Sequence, residues 1–479
     1  MPGSTASTLD DDRYFDPDPS TRRVARALYE ETRLLPIVSP HGHVDADVLA
    51  DDAAFPEPTS LIIRPDHDIL RMLYSRGVSM AQLGIPKRGS ADPPADPRGI
   101  WKTFAANYHL FRGTPTAAWL DYELAIVFGV RSRLDASSAG SIYDAICECL
   151  SSGEYRPRAL FERFNIEVLA TTNAASDQLA GHQRLRDSGW SGRVIPTFRP
   201  DAAIDLASAG WKEEIDALGD VTGVPILDYA TLMRALTVRR AAFREMGATA
   251  TDHGVEVPGT GQLPYAEAER LFQGALEGKV TVADARTFQA HMLMQMARLS
   301  ADDGLVMQLH AGALRDHNEP LARNYGPHLG GDIPVATEYT RNLRPLLNEY
   351  GNDPRFRLIL FTLDESTYSR ELAPLAGHYP AVLLGAPWWF HDSIEGMKRY
   401  RERVTETAGI WNTAGFTDDT RAFCSIPARH DLSRRIDANW LAGLVVRHII
   451  ALDDAREMAR ALAYDLAKGA YRLDHGERP

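Results

Sequence analysis

Two histidines separated by a single glycine follow an apolar run near the beginning of the chain. The stretch LLPIVSPHGHVDAD spans residues 34–47 and places His41 and His43 just beyond the run. Side chains at i and i+2 of an extended strand point to the same side, so both imidazoles could converge on one metal ion. A polar loop in which each imidazole only bonds to the backbone is the alternative, because an isolated His-x-His motif does not distinguish the two.

Short apolar runs bounded by turn residues alternate along the chain with longer helical patterns. We interpret six runs as strands, with a weaker seventh, at residues 34–38, 166–172, 193–198, 304–310, 355–361, 381–386 and 409–416. Nearly continuous apolar runs are typical of parallel strands that crossover helices cover on both faces. A (β/α) barrel and a doubly wound open sheet both fit this alternation.

Polar residues at the ends of the predicted strands favour the barrel. Arg199 follows the third run, His310 ends the fourth, Asp364 follows the fifth and Trp388 follows the sixth. In a barrel the carboxyl ends of all strands meet at one mouth, where such residues would face each other. A nucleotide-binding sheet would carry a glycine-rich turn after its first strand, and neither GxGxxG nor GxxxxGK[ST] occurs. We therefore predict a distorted (β/α)8 barrel of the TIM type, in the α/β class.

The spacing of the predicted strands divides the chain into an arm and a barrel. Residues 1–33 precede the first strand and form an N-terminal arm, and residues 34–479 form the barrel. The long intervals at about residues 65–160 and 200–300 carry helical patterns. We predict a helical insertion into the barrel at each of them.

The composition is that of an acidic globular protein. The chain has 479 residues, and 52 lysines and arginines against 65 aspartates and glutamates give a net charge of −13. The summed field repels nucleic acid and anionic membranes, so we predict neither as a partner. The N-terminus lacks a basic and apolar leader, no apolar stretch reaches membrane-spanning length, and three cysteines are too few for a disulfide framework. We predict a cytoplasmic protein, with a homo-oligomer among the options for its assembly.

Six ordered motifs resemble the uronate isomerase family, also called glucuronate isomerase, of the amidohydrolase superfamily. They are SPHGHVDA (39–46), PDHDILRMLYSRGV (65–78), PTFRPD (196–201), QLHAGALRDHN (308–318), APWWFHDS (386–393), and GFTDDTRAF with ARHDLSRR (415–423 and 428–435). Together these motifs cover nearly the whole chain, and HGHVD alone would not be specific.

The resemblance implies an aldose–ketose isomerase that acts on a sugar acid. The family interconverts D-glucuronate with D-fructuronate, or D-galacturonate with D-tagaturonate, by moving a proton from C2 to C1 through an enediol. This chemistry needs a base near C2 and a group that stabilises the enediolate oxygen. A mononuclear zinc-dependent hydrolase acting on a sugar-acid-like substrate is the alternative, because it would use the same ligands. A binuclear hydrolase would add a carboxylated lysine at a strand end, where this chain has no lysine.

By the same resemblance, His41, His43 and Asp419 bind one divalent metal ion, expected to be zinc. Asp419 aligns with the aspartate of the family's Asp-Ser-Arg-Ser-Phe pattern and is also a catalytic candidate. The preceding Asp418 stands where the family has threonine, and we interpret it as a solvated or capping carboxylate. His310 is expected to act in catalysis, with a buried hydrogen-bonding histidine as the alternative.

An anionic substrate in an acidic protein needs a local cluster of arginines. Arg199, Arg421 and Arg315 are the candidates for a clamp on the substrate carboxylate, because a guanidinium can hold it with two parallel hydrogen bonds. A surface ion pair is the alternative for Arg315. The resemblance makes His67 a substrate ligand, with a buried hydrogen-bonding histidine as the alternative. Trp388 is expected to wall the substrate, with plain packing as its alternative.

One position departs from the family pattern. Directly after the Asp-His pair the family has a tyrosine, a candidate proton-transfer residue, whereas this chain has Asp68. The unperturbed pKa of an aspartate is about 3.9 and that of a tyrosine about 10, and the aspartate side chain is shorter. We expect Asp68 to carry the proton in place of the tyrosine, unless the substrate or the reaction has changed.

Overall fold

A curled parallel sheet covered by helices organises the computed structural model, which describes residues 9–90, 96–208 and 210–474. Within these ranges the strands are β1 (Ile37–Ser39), β2 (Ile166–Ala174), β3 (Arg193–Arg199), β4 (Ala250–Val255), β5 (Val306–Ala311), β6 (Ala313–Leu314), β7 (Ile333–Pro334), β8 (Leu358–Thr362) and β9 (Val382–Leu384). Seven of these described strands form one sheet in the order β1-β2-β3-β4-β5-β8-β9, with every neighbouring pair parallel. The strands β6 and β7 form a separate antiparallel pair.

An eighth segment continues the sheet towards a closed barrel. Thr413 forms an isolated parallel bridge with Leu384 of β9, and the backbone N–H of His43 donates to the carbonyl of Thr420 at 2.9 Å. The chain from Thr413 to Thr420 therefore lies between β9 and β1, where the eighth strand of a barrel belongs. The predicted distorted barrel of the TIM type is confirmed, and the weak run at 409–416 supplies a bridge in place of a full strand.

Helices fill the intervals between the strands. In the described part of the chain they are α1 (Pro19–Thr32), α2 (Ala46–Asp51), α3 (His67–Ser75), α4 (Pro97–Ala106), α5 (Pro115–Tyr122), α6 (Ala139–Ser151), α7 (Pro157–Arg163), α8 (Ala180–Asp187), α9 (Asp201–Ile204), α10 (Trp211–Thr222), α11 (Tyr229–Glu245), α12 (Tyr265–Leu276), α13 (Val282–Asp303), α14 (Glu319–Tyr325), α15 (Arg344–Tyr350), α16 (Ala373–Ala376), α17 (Ile394–Ala408), α18 (Ile426–Val446), α19 (Leu452–Arg460) and α20 (Leu466–Ala470). Of these described helices, none combines the length and the apolar character needed to cross a membrane.

All six of the stronger strand predictions are met, with bounds that shift by a few residues. The interval 200–300 also contains β4, which the hydrophobic pattern does not predict. Its sequence ATDHGV carries Asp252 and His253 where an apolar run would be expected, and both side chains are almost fully buried. Strand prediction from periodicity misses such a segment because its buried residues are polar.

The helix α1, from the predicted N-terminal arm, packs against the long helix α18. The hydroxyl of Tyr29 donates to the Asp431 carboxylate, and the Arg434 guanidinium donates to the carbonyl of Arg33 at 3.0 Å. The same guanidinium donates to the carbonyl of Pro36 at 2.9 Å, just before β1. These contacts anchor α18 beside the strand that leads to His41 and His43.

Candidate metal and substrate site

A cavity of about 840 Å³ opens at the carboxyl ends of the barrel strands. It brings together residues that are far apart in the chain, as the barrel prediction requires. The predicted site residues that line it are His41, His43, His67, Arg199, His310, Arg315, Trp388, Asp419 and Arg421. Asp68 is not among the lining residues, although its neighbours Asp66 and His67 are.

The three predicted metal ligands meet on one side of this cavity. Oδ1 of Asp419 lies 3.5 Å from Nε2 of His41 and 3.2 Å from Nε2 of His43. The candidate ligand atoms of the three residues all lie within 4.8 Å of one another. The two histidines follow β1 and the aspartate lies near the end of the eighth segment, so the His43–Thr420 backbone hydrogen bond holds the two ligand segments side by side.

The protonation states of Asp419 and His43 suit a metal ligand set, whereas at His41 burial is outweighed by the carboxylates of Asp419 and Asp252, which raise the pKa of this imidazole. Burial opposes ionisation of Asp419, but the adjacent imidazoles outweigh it and hold the pKa of this carboxyl well below its usual range. Burial lowers the pKa of His43 to about 4, so its imidazole is neutral. Oδ1 of Asp419 is buried and has no well-aligned hydrogen-bond partner among the described residues. Two nitrogens and an unsatisfied carboxylate oxygen fit a divalent ion such as Zn²⁺.

A buried pair on neighbouring strands stands beside the ligand set. Nδ1 of His310, on β5, lies 2.7 Å from Oδ1 of Asp252, on β4. The His310 ring also stacks on His41 and Phe361, with centroids 4.7 and 4.0 Å apart. Burial lowers the pKa of His310 although Asp252 opposes the shift, so the imidazole is neutral. Its Nε2 has no hydrogen-bond partner in the described part of the chain.

Sequence reasoning does not identify Asp252, because it places no strand at residues 250–255. The adjacent pair Asp252-His253 is the one signal that the sequence offers there. In the structure the carboxylate accepts the Nδ1–H of His310 and so leaves Nε2 unprotonated. His41, Asp252 and His310 also lie close enough to form a metal-ligating group.

The three predicted clamp arginines line the cavity but differ in their partners. Arg199 is paired with Asp201, Nε to Oδ2 at 2.6 Å, and Arg315 with Asp332, Nη1 to Oδ2 at 2.8 Å. Arg421 forms no ion pair with any residue that the structure describes, and its pKa is lowered by burial and by the other two guanidinium groups. Arg421 therefore offers the least compensated positive charge to an anion. The ion pair expected as an alternative for Arg315 is present, although the residue also lines the cavity.

Gly254 makes room for this arginine cluster. A Cβ atom at this position would lie 2.6 Å from Nη2 of Arg199 and 3.7 Å from Nη2 of Arg315. Any larger residue at position 254 would displace the Arg199 guanidinium, because a distance of 2.6 Å is shorter than real Cβ atoms allow. The lack of a side chain at Gly254 therefore leaves space for both guanidinium groups beside β4.

The helix α3 directs His67 into the cavity. Oδ1 of Asp66 caps the helix by accepting from the backbone N–H groups of Asp68 and Ile69, at 2.8 and 3.2 Å. Asp68 points to a different neighbour, because its Oδ1 lies 3.0 Å from Nη2 of Arg71. Burial opposes ionisation of Asp68, but His67 and Arg71 outweigh it and lower its pKa. Asp68 is thus a carboxylate in an ion pair beside the cavity.

Two aromatic rings form one wall of the cavity. The ring of Trp388 lies 4.8 Å from that of His310 and 4.6 Å from that of Trp389, measured between centroids. Trp389 in turn lies 5.7 Å from His67 and 4.8 Å from the Arg315 guanidinium. Trp388 is only 5% exposed, so it both packs and lines the cavity.

Asp418 corrects the sequence interpretation of a solvated or capping carboxylate. Its side chain is fully buried, and its Oδ2 lies 3.1 Å from Nε2 of His430. The Asp418 carboxylate contacts this histidine on α18 and does not line the cavity. The carboxylate of the following residue, Asp419, is the one that faces His41 and His43. Among the described residues no lysine lines the cavity, so none there could serve as the carboxylated lysine of a binuclear hydrolase.

Proteins similar to this chain over nearly its whole length are uronate isomerases. The family model described as glucuronate isomerase matches residues 19–471. The uronate isomerase of Nostoc punctiforme is 55% identical over 467 residues, covering 97% of this chain and 98% of that protein. The uronate isomerase of Phenylobacterium zucineum is 52% identical over 470 residues, covering 98% of each chain.

Solved structures agree with these sequence relatives. The glucuronate isomerase of Caulobacter crescentus has a TM-score of 0.96 at 49% identity and covers 98% of both chains. The uronate isomerase of Thermotoga maritima has a TM-score of 0.90 at 27% identity, covering 97% of this chain and 100% of that one. A protein from Lactobacillus casei described as a metal-dependent hydrolase, 12% identical with a TM-score of 0.51, shares the fold alone.

Proposed function

Because the chain belongs to the glucuronate isomerase family, we propose that it is an isomerase that interconverts D-glucuronate with D-fructuronate, or D-galacturonate with D-tagaturonate. The observation that carries this proposal is the set of side chains that line the cavity at the barrel mouth. Proton-transfer groups, an unpaired guanidinium and an aromatic wall face one another there. A sugar acid needs all three when it binds by its carboxylate and reacts at C1 and C2.

Arg421 and its neighbours bind the carboxylate end of the substrate in this scheme. Arg421 has no carboxylate partner in the described structure, so a uronate carboxylate would complete a charge-assisted pair. Arg199 and Arg315 add to the local positive charge, although each is already paired with an aspartate. Trp388 would cover the sugar carbons and exclude water from the reacting end.

Two residues move protons at the reacting carbons. The ionised carboxylate of Asp419 accepts the proton from C2 and returns it to C1. The unprotonated Nε2 of His310 accepts the proton of the C2 hydroxyl and returns it to the oxygen on C1, while Asp252 holds the other ring nitrogen. The intermediate is an enediolate that exists while Asp419 holds the C2 proton, and it becomes the ketose when Asp419 gives this proton to C1. His310 moves one proton from the C2 oxygen to the C1 oxygen in between, so the atoms and charges balance without a further reactant.

A divalent metal, which we propose is zinc, would be held by His41, His43 and Asp419 and when bound would polarise the substrate oxygens as a Lewis acid. The scheme needs no step from Asp68, which forms an ion pair with Arg71 outside the cavity lining. We also propose a cytoplasmic location, supported by three cysteines that are all free thiols.

Proton NMR in D₂O tests the proposed reaction directly. The purified protein is incubated separately with D-glucuronate and D-galacturonate, and the ketose product and the deuterium content of its C1 are followed. We expect a ketose from at least one of the two. Loss of both reactions would overturn the proposal, and hydrolysis of a sugar-acid lactone without any ketose would favour the mononuclear hydrolase instead.

A further inference from the structure

A buried arginine beside the cavity contacts the backbone next to Asp419. Arg429 lies in the first turn of α18, is 8% exposed, and reaches the cavity wall. Its Nη1 donates to Oδ2 of Asp392 at 2.9 Å and to the carbonyl oxygen of Asp418 at 3.2 Å. One nitrogen therefore joins a buried counter-ion to the peptide group that leads into a candidate metal ligand.

Two further contacts fix this guanidinium in place. Nε of Arg429 donates to Oγ of Ser425 at 3.3 Å, and the guanidinium carbon lies 3.6 Å from the ring centroid of Trp119. Asp392 is itself 4% exposed. Because a buried charge is costly without its partner, Arg429 and Asp392 constrain each other. The guanidinium is thus held from several sides and can act as a rigid support.

The residue that this support reaches has an unusual backbone. Asp419 has φ of 41°, in the left-handed region that residues with side chains rarely adopt. Such a conformation persists only where the surroundings hold it. On one side Arg429 holds the Asp418 carbonyl, and on the other the Thr420 carbonyl accepts from the N–H of His43 at 2.9 Å. The peptide group directly before Asp419 and the carbonyl of the next residue, Thr420, are therefore both tethered.

We propose that Arg429 is a positioning residue for Asp419. With Asp392 as its counter-ion, it holds the Asp418 carbonyl, and so it keeps the Asp419 carboxylate directed at His41 and His43. The inference rests on the proposed function insofar as Asp419 binds the metal and moves the substrate proton. It adds to that function a residue that acts through the Asp418 peptide group and so fixes the position of the Asp419 carboxylate.

Metal affinity and steady-state kinetics of Arg429 variants test the proposal. Arg429→Met removes the support, and we expect the dissociation constant for Zn²⁺, measured by competition with a chelator, to rise by about tenfold or more. We expect kcat on the preferred uronate to fall by about tenfold or more, with KM nearly unchanged. Arg429→Lys keeps the charge beside Asp392 without the second hydrogen bond, so it should fold while showing the same pattern more weakly.

Arg401→Met is the matched control, because it also breaks a buried arginine–aspartate pair. Arg401 donates to Asp437 from Nε and Nη2, at 2.6 and 2.9 Å, and does not line the cavity. It should lower the melting temperature while leaving metal affinity unchanged. Equal losses of metal affinity in both methionine variants, or wild-type values in Arg429→Met, would overturn the proposal, as would a wild type that binds no metal. If the wild type binds zinc but isomerises no uronate, the proposed function fails and the metal-affinity arm alone decides the role of Arg429.

Discussion

The carboxylate of Asp252 and the imidazole of His310 form a buried pair across two neighbouring strands, with Oδ1 and Nδ1 2.7 Å apart. The pair selects the tautomer that leaves Nε2 unprotonated towards the cavity. Asp252→Asn should therefore lower kcat by about 10²-fold while the protein stays folded, because an amide does not enforce that tautomer. Steady-state kinetics and the ¹⁵N chemical shifts of His310 measure the effect.

The matched control for this variant is Asp201→Asn. Both Asp201 and Asp252 face the Arg199 guanidinium, and Asp201 accepts a hydrogen bond from it at 2.6 Å. Unlike Asp252, Asp201 makes no contact with His310. Its replacement should change KM more than kcat. If both variants lower kcat equally, the Asp252 effect comes from the arginine cluster and not from the histidine.

Removal of the histidine pair should abolish metal binding. We expect one divalent ion per chain in the wild type and none in the double variant His41→Ala with His43→Ala, because Asp419 is then the one member of the predicted ligand set that remains. Elemental analysis after reconstitution and desalting measures the content. His291→Ala is the control, since His291 is a buried histidine bonded to the Tyr229 hydroxyl. Metal retained in the double variant would show that the ligands lie elsewhere.

Replacement of the unpaired arginine should weaken recognition of the substrate carboxylate. Arg421→Met should lower kcat/KM for the uronate by the equivalent of about 2 to 4 kcal/mol, because a charge-assisted contact is lost. The matching neutral aldose should be handled equally by wild type and variant. Arg199→Met, by contrast, leaves Asp201 and Asp252 without their guanidinium and should harm both sugars. Equal harm to both sugars in Arg421→Met would mean that Arg421 is structural.

Replacement of Asp68, the residue that departs from the family pattern, should change the activity little under this scheme. Asp68→Asn removes a partly exposed ion pair with Arg71, an interaction worth about 1 kcal/mol or less. We expect kcat at saturating uronate to stay within about threefold of the wild type. Loss of a general acid or base would instead lower kcat by about 10²-fold or more. A loss on that larger scale with unchanged metal content would place Asp68 in the proton path. A gain of activity in Asp68→Tyr would indicate that the chain has drifted to another substrate.

The buried glutamate Glu123 should make the protein less stable as the pH rises. Burial, with a contribution from the charge of Asp66, raises the pKa of Glu123 from 4.5 to about 8. Between these values the folded state holds a proton that the unfolded state has released, so the free energy of unfolding falls with pH. The slope is up to about 1.4 kcal/mol per pH unit.

Urea unfolding at a series of pH values between about 5 and 8 measures this slope. Glu123→Gln should flatten it, because the neutral amide has no proton to lose. Glu154→Gln, at an exposed glutamate, should leave the slope unchanged, and a Glu123→Gln slope equal to that of the wild type would contradict the prediction.

The local sequence was sufficient to predict which functional residues stand at the ends of the strands. His41 and His43 follow an apolar run at strand spacing, and Arg199 and His310 stand at the ends of similar runs. A parallel barrel collects the ends of its strands at one mouth whatever the precise register, so these residues could be placed together from the chain alone. The same logic failed for β4, because its inward positions are polar and carry no hydrophobic period.

Tertiary structure decided which of these side chains pair with each other. The contacts of Asp252 with His310, of Asp418 with His430 and of Arg429 with the Asp418 carbonyl join elements whose relative register no local pattern encodes. The structure likewise turned Asp68 towards Arg71 and left Arg421 without a partner in the described residues. A hydrogen bond requires donor and acceptor within about 3 Å, and only the packed arrangement of distant helices and strands fixes positions that closely.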